Sequence, residues 1–404
     1  MIPWTRYAFI VFLTAADGTA HILVAPYLQS QGYDYTAIGL LVGVVSVFSL
    51  LSRLPGGMAY RPHRARALMA GSLVIFGLTC LAFPLATSSV LFGLLLAIFG
   101  ATAGVATTVN LAIFMEAIPA GSSKHKAMAF YAGTLSGGHM IGNLSGGMAG
   151  DHLGYTGAFQ LAAVYAVAGL GLLALDRLEV SEHYRLAPIA APLEGWVERV
   201  RKPLRAMSEP GVVALSMVSF LQVFLHSSAA TFFPLYGLSI GLSLTEIGLI
   251  KSAHSLTNAF ARPLAGAPVQ VLGAERVSYI GLAAVAVGVA IIPTQTSMVV
   301  LLGLHVVIGL LRALVMVANT VSLADVDETR MSRGLASGLF SASKDLGGLT
   351  SPVISGAAAS LIGLASMMIL MPLAASAIFF GLLAGLEGRV RLPRLRRILE
   401  RAAP

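Results

Sequence analysis

Long apolar runs alternate with short polar breaks along this chain, and that pattern sets its architecture. Twelve runs stand out, at roughly 6–28, 36–57, 68–86, 90–117, 127–150, 156–176, 211–236, 244–267, 276–293, 297–321, 335–361 and 365–386. Each is about 20 residues long, the length of a membrane-crossing helix and about twice that of a barrel strand. A backbone in hydrocarbon must satisfy its own hydrogen bonds, so the runs predict helices. The expected fold is an all-α membrane protein with twelve transmembrane helices. One longer polar stretch, Asp176–Pro210, divides the runs into six plus six. The domains expected are an N-terminal six-helix bundle (1–177), a cytoplasmic linker (178–210), and a C-terminal six-helix bundle with a basic cytoplasmic tail (211–404). The opening Met1-Ile-Pro-Trp-Thr-Arg6 has no small-residue cleavage site, so the first run reads as a permanent span.

Composition agrees with the pattern. Of 404 residues, 56% are hydrophobic and only 11% charged, and mean hydropathy is +0.83. A soluble globule carries about 25% charge; this chain could not cover its surface with polar groups, which excludes a compact soluble enzyme. The single Cys80 leaves no intrachain disulfide and no CxxC metal site. No metal or other cofactor is expected.

The net charge of +8 becomes informative once it is placed. Of the 26 lysines and arginines, all but Lys251, Arg312 and Lys344 fall on one side of the twelve spans. Positive loops stay inside, so both termini are expected to be cytoplasmic, in a cytoplasmic (inner) membrane of a bacterial cell. In the linker, Leu193, Trp196, Val197, Val200 and Leu204 follow helical spacing, with Arg199, Arg201, Lys202 and Arg205 between them. That reads as an interfacial helix on anionic lipid, and the basic tail Arg389–Arg401 reads similarly. Neither calls for nucleic acid.

The two halves also repeat each other. An offset of 209 places Thr36-Ala-Ile-Gly-Leu40 on Thr245-Glu-Ile-Gly-Leu249. It also pairs Ser46 with Ser255, Arg53 with Arg262, Gly57 with Gly266, Asn110 with Asn319, Glu116 with Asp325, and Gly147 with Gly356. Two copies of a six-helix unit imply a two-fold axis along the membrane normal, with a path between the copies.

With the repeat and its motifs, the chain resembles the major facilitator superfamily over its whole length. The segment Arg53-Leu-Pro-Gly-Gly57-Met-Ala-Tyr-Arg61 looks like that family's signature between spans 2 and 3, echoed by Arg262-Pro-Leu-Ala-Gly266. The family's usual Asp falls on Arg61 and Gln270. Gly138-His-Met-Ile-Gly142-Asn143-Leu-Ser-Gly146-Gly147 is similar to its antiporter motif, with Asn143 in place of a proline that the second half keeps as Pro352. The resemblance implies gating roles for Arg53, Gly57, Arg61, Arg262, Gly266, Gly142, Asn143, Gly147 and Pro352. It also implies a lipid-facing outer layer made of spans 3, 6, 9 and 12.

A charge at the bilayer centre costs about 2.5–3.5 kcal/mol on insertion scales, so ionisable residues inside spans are expected to face protein or water. Asp17, His21, His139, His226, Lys251, His254, His305, Arg312, Lys344 and Asp345 all lie within spans, and spans 3, 6, 9 and 12 have none in their interiors. Helical spacing groups Asp17 with His21, Ser136 with His139 and Asn143, and Lys251 with His254, Ser255, Asn258 and Arg262. The expected substrate is a small organic anion held by Arg312 and Lys344, with His226, His254, His305, Asn319 and Asn110 beside them. Asp17 is the expected proton carrier, helped by His21. Other readings stand beside these: Arg312 or Lys344 could pair with Asp345, each histidine could be an interhelical contact, and Lys251 could snorkel to the surface. The glycine ladder Gly138, Gly142, Gly146 and Gly150 reads as close helix packing.

Three stray matches carry no weight. Gly237-Leu-Ser-Ile-Gly241 has no strand-turn-helix context, Asn143-Leu-Ser145 lies within the bilayer, and no Walker A sequence is present. The sequence therefore predicts a proton-coupled secondary transporter, working as a monomer among anionic lipids. A drug or amphiphile antiporter and a non-transporting receptor are the alternatives.

Overall fold

The computed structural model describes residues 3–118, 124–175, 210–324 and 333–402. The expected interfacial helix of the linker and Asp325 of the repeat lie outside the described residues. All regular structure among the described residues is helical. The first half comprises α1 (Trp4–Ser30), α2 (Tyr35–Ala59), α3 (Pro62–Ala82), α4 (Ser89–Glu116) and the helix Lys124–Leu175. Gly154, at φ 68° and ψ 177°, breaks that last helix into α5 (124–153) and α6 (155–175). The second half comprises α7 (Pro210–Ser239), α8 (Leu244–Leu264), a seven-residue helix Gly266–Leu272, α9 (Ala274–Ile291), α10 (Met298–Ala324), α11 (Arg333–Ile362) and α12 (Leu364–Ala402).

Local chemistry explains where these helices start and stop. Asp34 caps α2 by accepting from the Ala37 amide, Ser88 caps α4, and Ser243 and Glu246 form a reciprocal capping box on α8. Gly32 and Gly241 both turn the chain at positive φ, as do Gly154 and Gly363. Each pair is related by the offset of 209, so the left-handed turns recur at the same points of both repeats.

Packing repeats in the same way. α1 lies against α5 as α7 lies against α11, and α2 against α4 as α8 against α10. The halves meet through α5 with α8 and through α11 with α2. Val74, Ile75 and Leu78 of α3, Val164 and Val167 of α6, Ile280 and Val287 of α9, and Leu370 and Leu382 of α12 are exposed, as a lipid-facing layer requires. Nine helices among the described residues are long and apolar enough to cross a membrane, one of them covering both α5 and α6. The remaining two of the twelve crossings are α8 and α11, whose ionisable and hydroxyl side chains lower their hydropathy.

The contacts between halves concentrate at the end remote from the termini, here called the far end. A Cβ on Gly39 of α2 would overlap the Pro352 carbonyl of α11, and one on Gly356 would overlap the Tyr35 carbonyl. The repeat-related contact joins Gly248 of α8 to the Asn143 carbonyl of α5, and Gly147 to the Leu244 carbonyl. Backbones approach this closely only where side chains are absent. Polar bonds close the same seam. Ser360 Oγ accepts from the Thr36 amide at 3.0 Å, and Asp151 accepts from the Leu244 and Thr245 amides at 3.0 and 2.7 Å. Ser360 and Asp151 are again one offset apart.

Candidate functional site

Between the halves lies a cavity of about 490 Å³. Its first-half wall carries Asp17 and His21 from α1, Ser46 from α2, Phe99 from α4, and Ser136, His139 and Asn143 from α5. Its second-half wall carries His226 from α7, Lys251, His254, Ser255, Asn258 and Arg262 from α8, and His305, Arg312 and Met316 from α10. Residues four apart on one helix share a face, which is why α8 can present its whole polar stripe to a single space.

The acidic pole is Asp17. His21 Nε2 lies 3.7 Å from its Oδ1 and His139 Nδ1 lies 3.9 Å from its Oδ2. The side chains of Asp17, His21 and His139 remain 26%, 48% and 40% exposed, so water reaches the carboxylate. His21 also meets the edge of the Phe99 ring at 5.5 Å.

The basic pole is Arg312, and its orientation follows from a chain of imidazoles. His305 Nδ1 lies 2.9 Å from the Leu301 carbonyl, and His254 Nδ1 lies 3.2 Å from the His305 carbonyl. A carbonyl can only accept, so Nδ1 carries the proton in both rings and the neutral His254 offers its Nε2 lone pair. Arg312 Nη1 lies 3.5 Å from that nitrogen and donates to it. His226 stacks on His254 at 5.9 Å between centroids, and Phe233 packs on His305 at 4.2 Å. The buried Nε of Arg312 has no hydrogen-bond partner among the described residues.

Other expected site residues lie elsewhere. Lys344 is not part of the cavity wall; its Nζ sits 5.0 Å from the centroid of Phe340. Asn110 is buried and donates to the Tyr131 hydroxyl at 3.2 Å. Asn319 is buried and donates to Ser219 Oγ at 3.0 Å and Gln222 Oε1 at 3.5 Å. Asn110 and Asn319 are thus engaged by neighbouring helices, and Lys344, Asn110 and Asn319 are absent from the cavity lining. Asp345 pairs with Arg53 at 2.9 Å, not with Arg312 or Lys344, and so joins α11 to α2. Arg262 spends its Nε and Nη2 on Asn258 Oδ1, at 3.1 and 2.8 Å. Arg61 folds back onto the Met58 and Tyr60 carbonyls. A Cβ at Gly57 would make ordinary contact with Thr108 and one at Gly266 would meet open space, so neither glycine is required by packing. Gly142 is: a Cβ there would overlap the Ala15 carbonyl of α1.

Two ionisable cavity residues were missing from the expected site, His139 and Lys251. The spacing that groups His139 with Asn143, and Lys251 with His254, was the signal for both. Among the described residues no cluster of three His, Cys, Asp or Glu side chains is placed to hold a metal ion.

Comparison with known proteins points one way. The family profile described as Major Facilitator Superfamily matches residues 7–245 and 215–399. An uncharacterized MFS-type transporter of Methanocaldococcus jannaschii is 21% identical over 372 residues, covering 90% of this chain and 93% of that protein. Among solved structures, a POT family transporter in complex with 5-aminolevulinic acid superposes with a TM-score of 0.77 at 14% identity, over 94% of this chain and 95% of that one. The nucleoside transporter NupG gives 0.72 at 11%, over 95% of this chain and 98% of that one. A bacterial homologue of the human lysosomal transporter Spinster, inward-facing and unoccupied, gives 0.70 at 17%, over 94% of each chain.

Proposed function

The chain belongs to the major facilitator superfamily and is a multi-pass membrane transporter rather than an enzyme; from that premise we propose that it carries a small organic anion together with protons by alternating access. The observation that carries this reading is Arg312, a guanidinium on the wall of the central cavity, aimed by His254 and lacking any carboxylate within 4 Å among the described residues. Arginine presents a planar fork of donors that matches a carboxylate or phosphate. A structural neighbour of this fold holds 5-aminolevulinic acid, whose carboxylate is a group that an arginine fork can receive. Asp17 is the proton site in this proposal: it is water-reachable, lies in the opposite half, and is flanked by His21 and His139.

The two halves, 1–177 and 211–404, are the moving bodies. The basic loops favour cytoplasmic termini, which places the far end, where the halves are in close backbone contact, towards the exterior. Purified protein in liposomes tests the proposal. Organic anions and cations are screened with and without a pH gradient, then again with Arg312→Ala. Anion flux is expected to fall at least tenfold in the folded variant; unchanged anion flux overturns the reading. Preferred uptake of an amphiphilic cation would instead favour a drug antiporter built on Asp17.

A further inference from the structure

The cavity is more basic than a singly charged cargo needs. Its wall holds Lys251, Arg262 and Arg312 against one carboxylate, Asp17. The ion pairs among the described residues join Asp17 to His21 and His139, and Arg53 to Asp345, so none neutralises a cation of the second-half wall. Arg262 is turned to its own helix through Asn258. Lys251 and Arg312 are the two cations left facing the space. Lys251 Nζ has one weak partner, the Ala230 carbonyl at 3.3 Å, and Arg312 Nη1 has one, His254 Nε2 at 3.5 Å.

Their placement is specific. Lys251 and His254 are three residues apart on one face of α8, a rise of about 4.5 Å. Because His254 holds Arg312, the two cationic side chains stand about one helical turn apart in depth along a single cavity. With Asp17 ionised, the wall carries a net charge of two positive before substrate arrives. A monoanion leaves half of that uncompensated in a space of low dielectric, whereas a dianion brings it to zero. We propose that the cargo carries two separated anionic groups, one held by Arg312 and the other by Lys251, as in a short dicarboxylate. This rests on the anion-transport reading above and adds Lys251 to the substrate site.

Acid pairs that differ by one carboxylate test it: succinate with butyrate, glutarate with valerate, and phthalate with benzoate. Binding to the full chain in detergent is read by thermal shift and by competition at pH 7. In at least one pair the dianion is expected to bind tenfold or more tightly than its monoacid. Lys251→Met should erase that preference by weakening the dianion about tenfold more than its monoacid, and Lys251→Arg should restore it. A purely structural lysine, tying α8 to Ala230 of α7, would weaken both members of a pair equally, and that result overturns the proposal. So does monoacid binding as tight as dianion binding in every pair, or tighter binding of 4-aminobutyrate, whose ammonium would then seek Asp17. The parent reading fails separately: no acid binds, or Arg312→Ala leaves every acid's affinity unchanged. Arg312-dependent binding without any dianion preference sinks only the present inference.

Discussion

Asp17 and Arg312 face one cavity from opposite halves, and this division separates the proton site from the substrate site. Asp17→Asn keeps the size and most of the hydrogen bonding of the side chain and removes only the exchangeable charge. For one-to-one coupling, a gradient of one pH unit is worth about 1.4 kcal/mol, or tenfold accumulation. The variant is expected to lose that accumulation, with the inside-to-outside ratio falling to about one. It should retain exchange of labelled for unlabelled substrate, since Arg312 is untouched. Counterflow and pH-driven uptake in the same liposomes check both halves of the prediction, and full accumulation by Asp17→Asn would remove Asp17 from the proton path. At this scale the sequence was legible only in part. Spacing placed Asp17, His21, His254 and Arg312 on inward faces, but it could not tell Lys251 from Lys344. Both are lysines inside polar helices, and the choice depends on how α8 and α11 are rotated about their axes. Lys344 is absent from the cavity lining, its Nζ over Phe340 of its own helix, whereas the stripe through His254 and Asn258 carries Lys251 onto the wall. Asn110 and Asn319 are absent from the cavity lining. Their matched positions in the two repeats record a shared packing role, since each is buried against a hydroxyl of a neighbouring helix.

Helices legible as apolar runs in the sequence appear where expected, because membrane burial imposes both length and composition on them. The gap between the runs ending at 150 and beginning at 156 was legible as a break, and the structure adds that the left-handed backbone of Gly154 is what separates α5 from α6. The use of motif glycines was legible only as close packing in general. The structure adds that Gly39 and Gly248 are the points where one half's backbone touches the other's. Asp151, beside the α5–α6 break and beyond the apolar run that ends at Gly150, gives this seam a charge. Burial pushes its carboxyl up, but hydrogen bonds from Thr245 and Leu244 outweigh that and hold it below the usual carboxylate value of 3.8. The sign follows from linkage: this bond stabilises the closed far end fully above pH 3.8, and the contribution is lost as pH falls through the depressed value. Neutralisation weakens the contact at higher pH, so Asp151→Asn should shift the far end towards opening at neutral pH, as strong acid should in the parent protein. Labelling of a cysteine placed at Ser46, on the cavity wall, by an impermeant reagent added from the far side would report it. Equal labelling of parent and Asp151→Asn would show that the bond does not hold the seam.

Across the whole molecule, the two halves copy each other in contacts as well as in sequence, but the copies are not chemically equal. One seam is tied by a carboxylate on the amides that begin α8. The repeat-related seam is tied by the Ser360 hydroxyl to the amide and hydroxyl of Thr36, at 3.0 and 2.8 Å. A transporter that alternates must release both seams in each cycle, whereas a receptor or scaffold on the same fold has no need to release either. A disulfide between Thr36→Cys and Ser360→Cys, in a Cys80→Ala background, distinguishes these cases. The native hydroxyls are already in hydrogen-bond contact, so little distortion is needed to bring two sulfurs together. Under oxidising conditions net flux is expected to fall to background, while substrate binding from the terminal side persists, because Arg312 and Asp17 lie in the cavity beyond the bridge. A reductant should restore flux on the same sample. Transport that continues with the bridge fully formed, as judged by mobility on a non-reducing gel, would mean that the halves do not separate at α2 and α11.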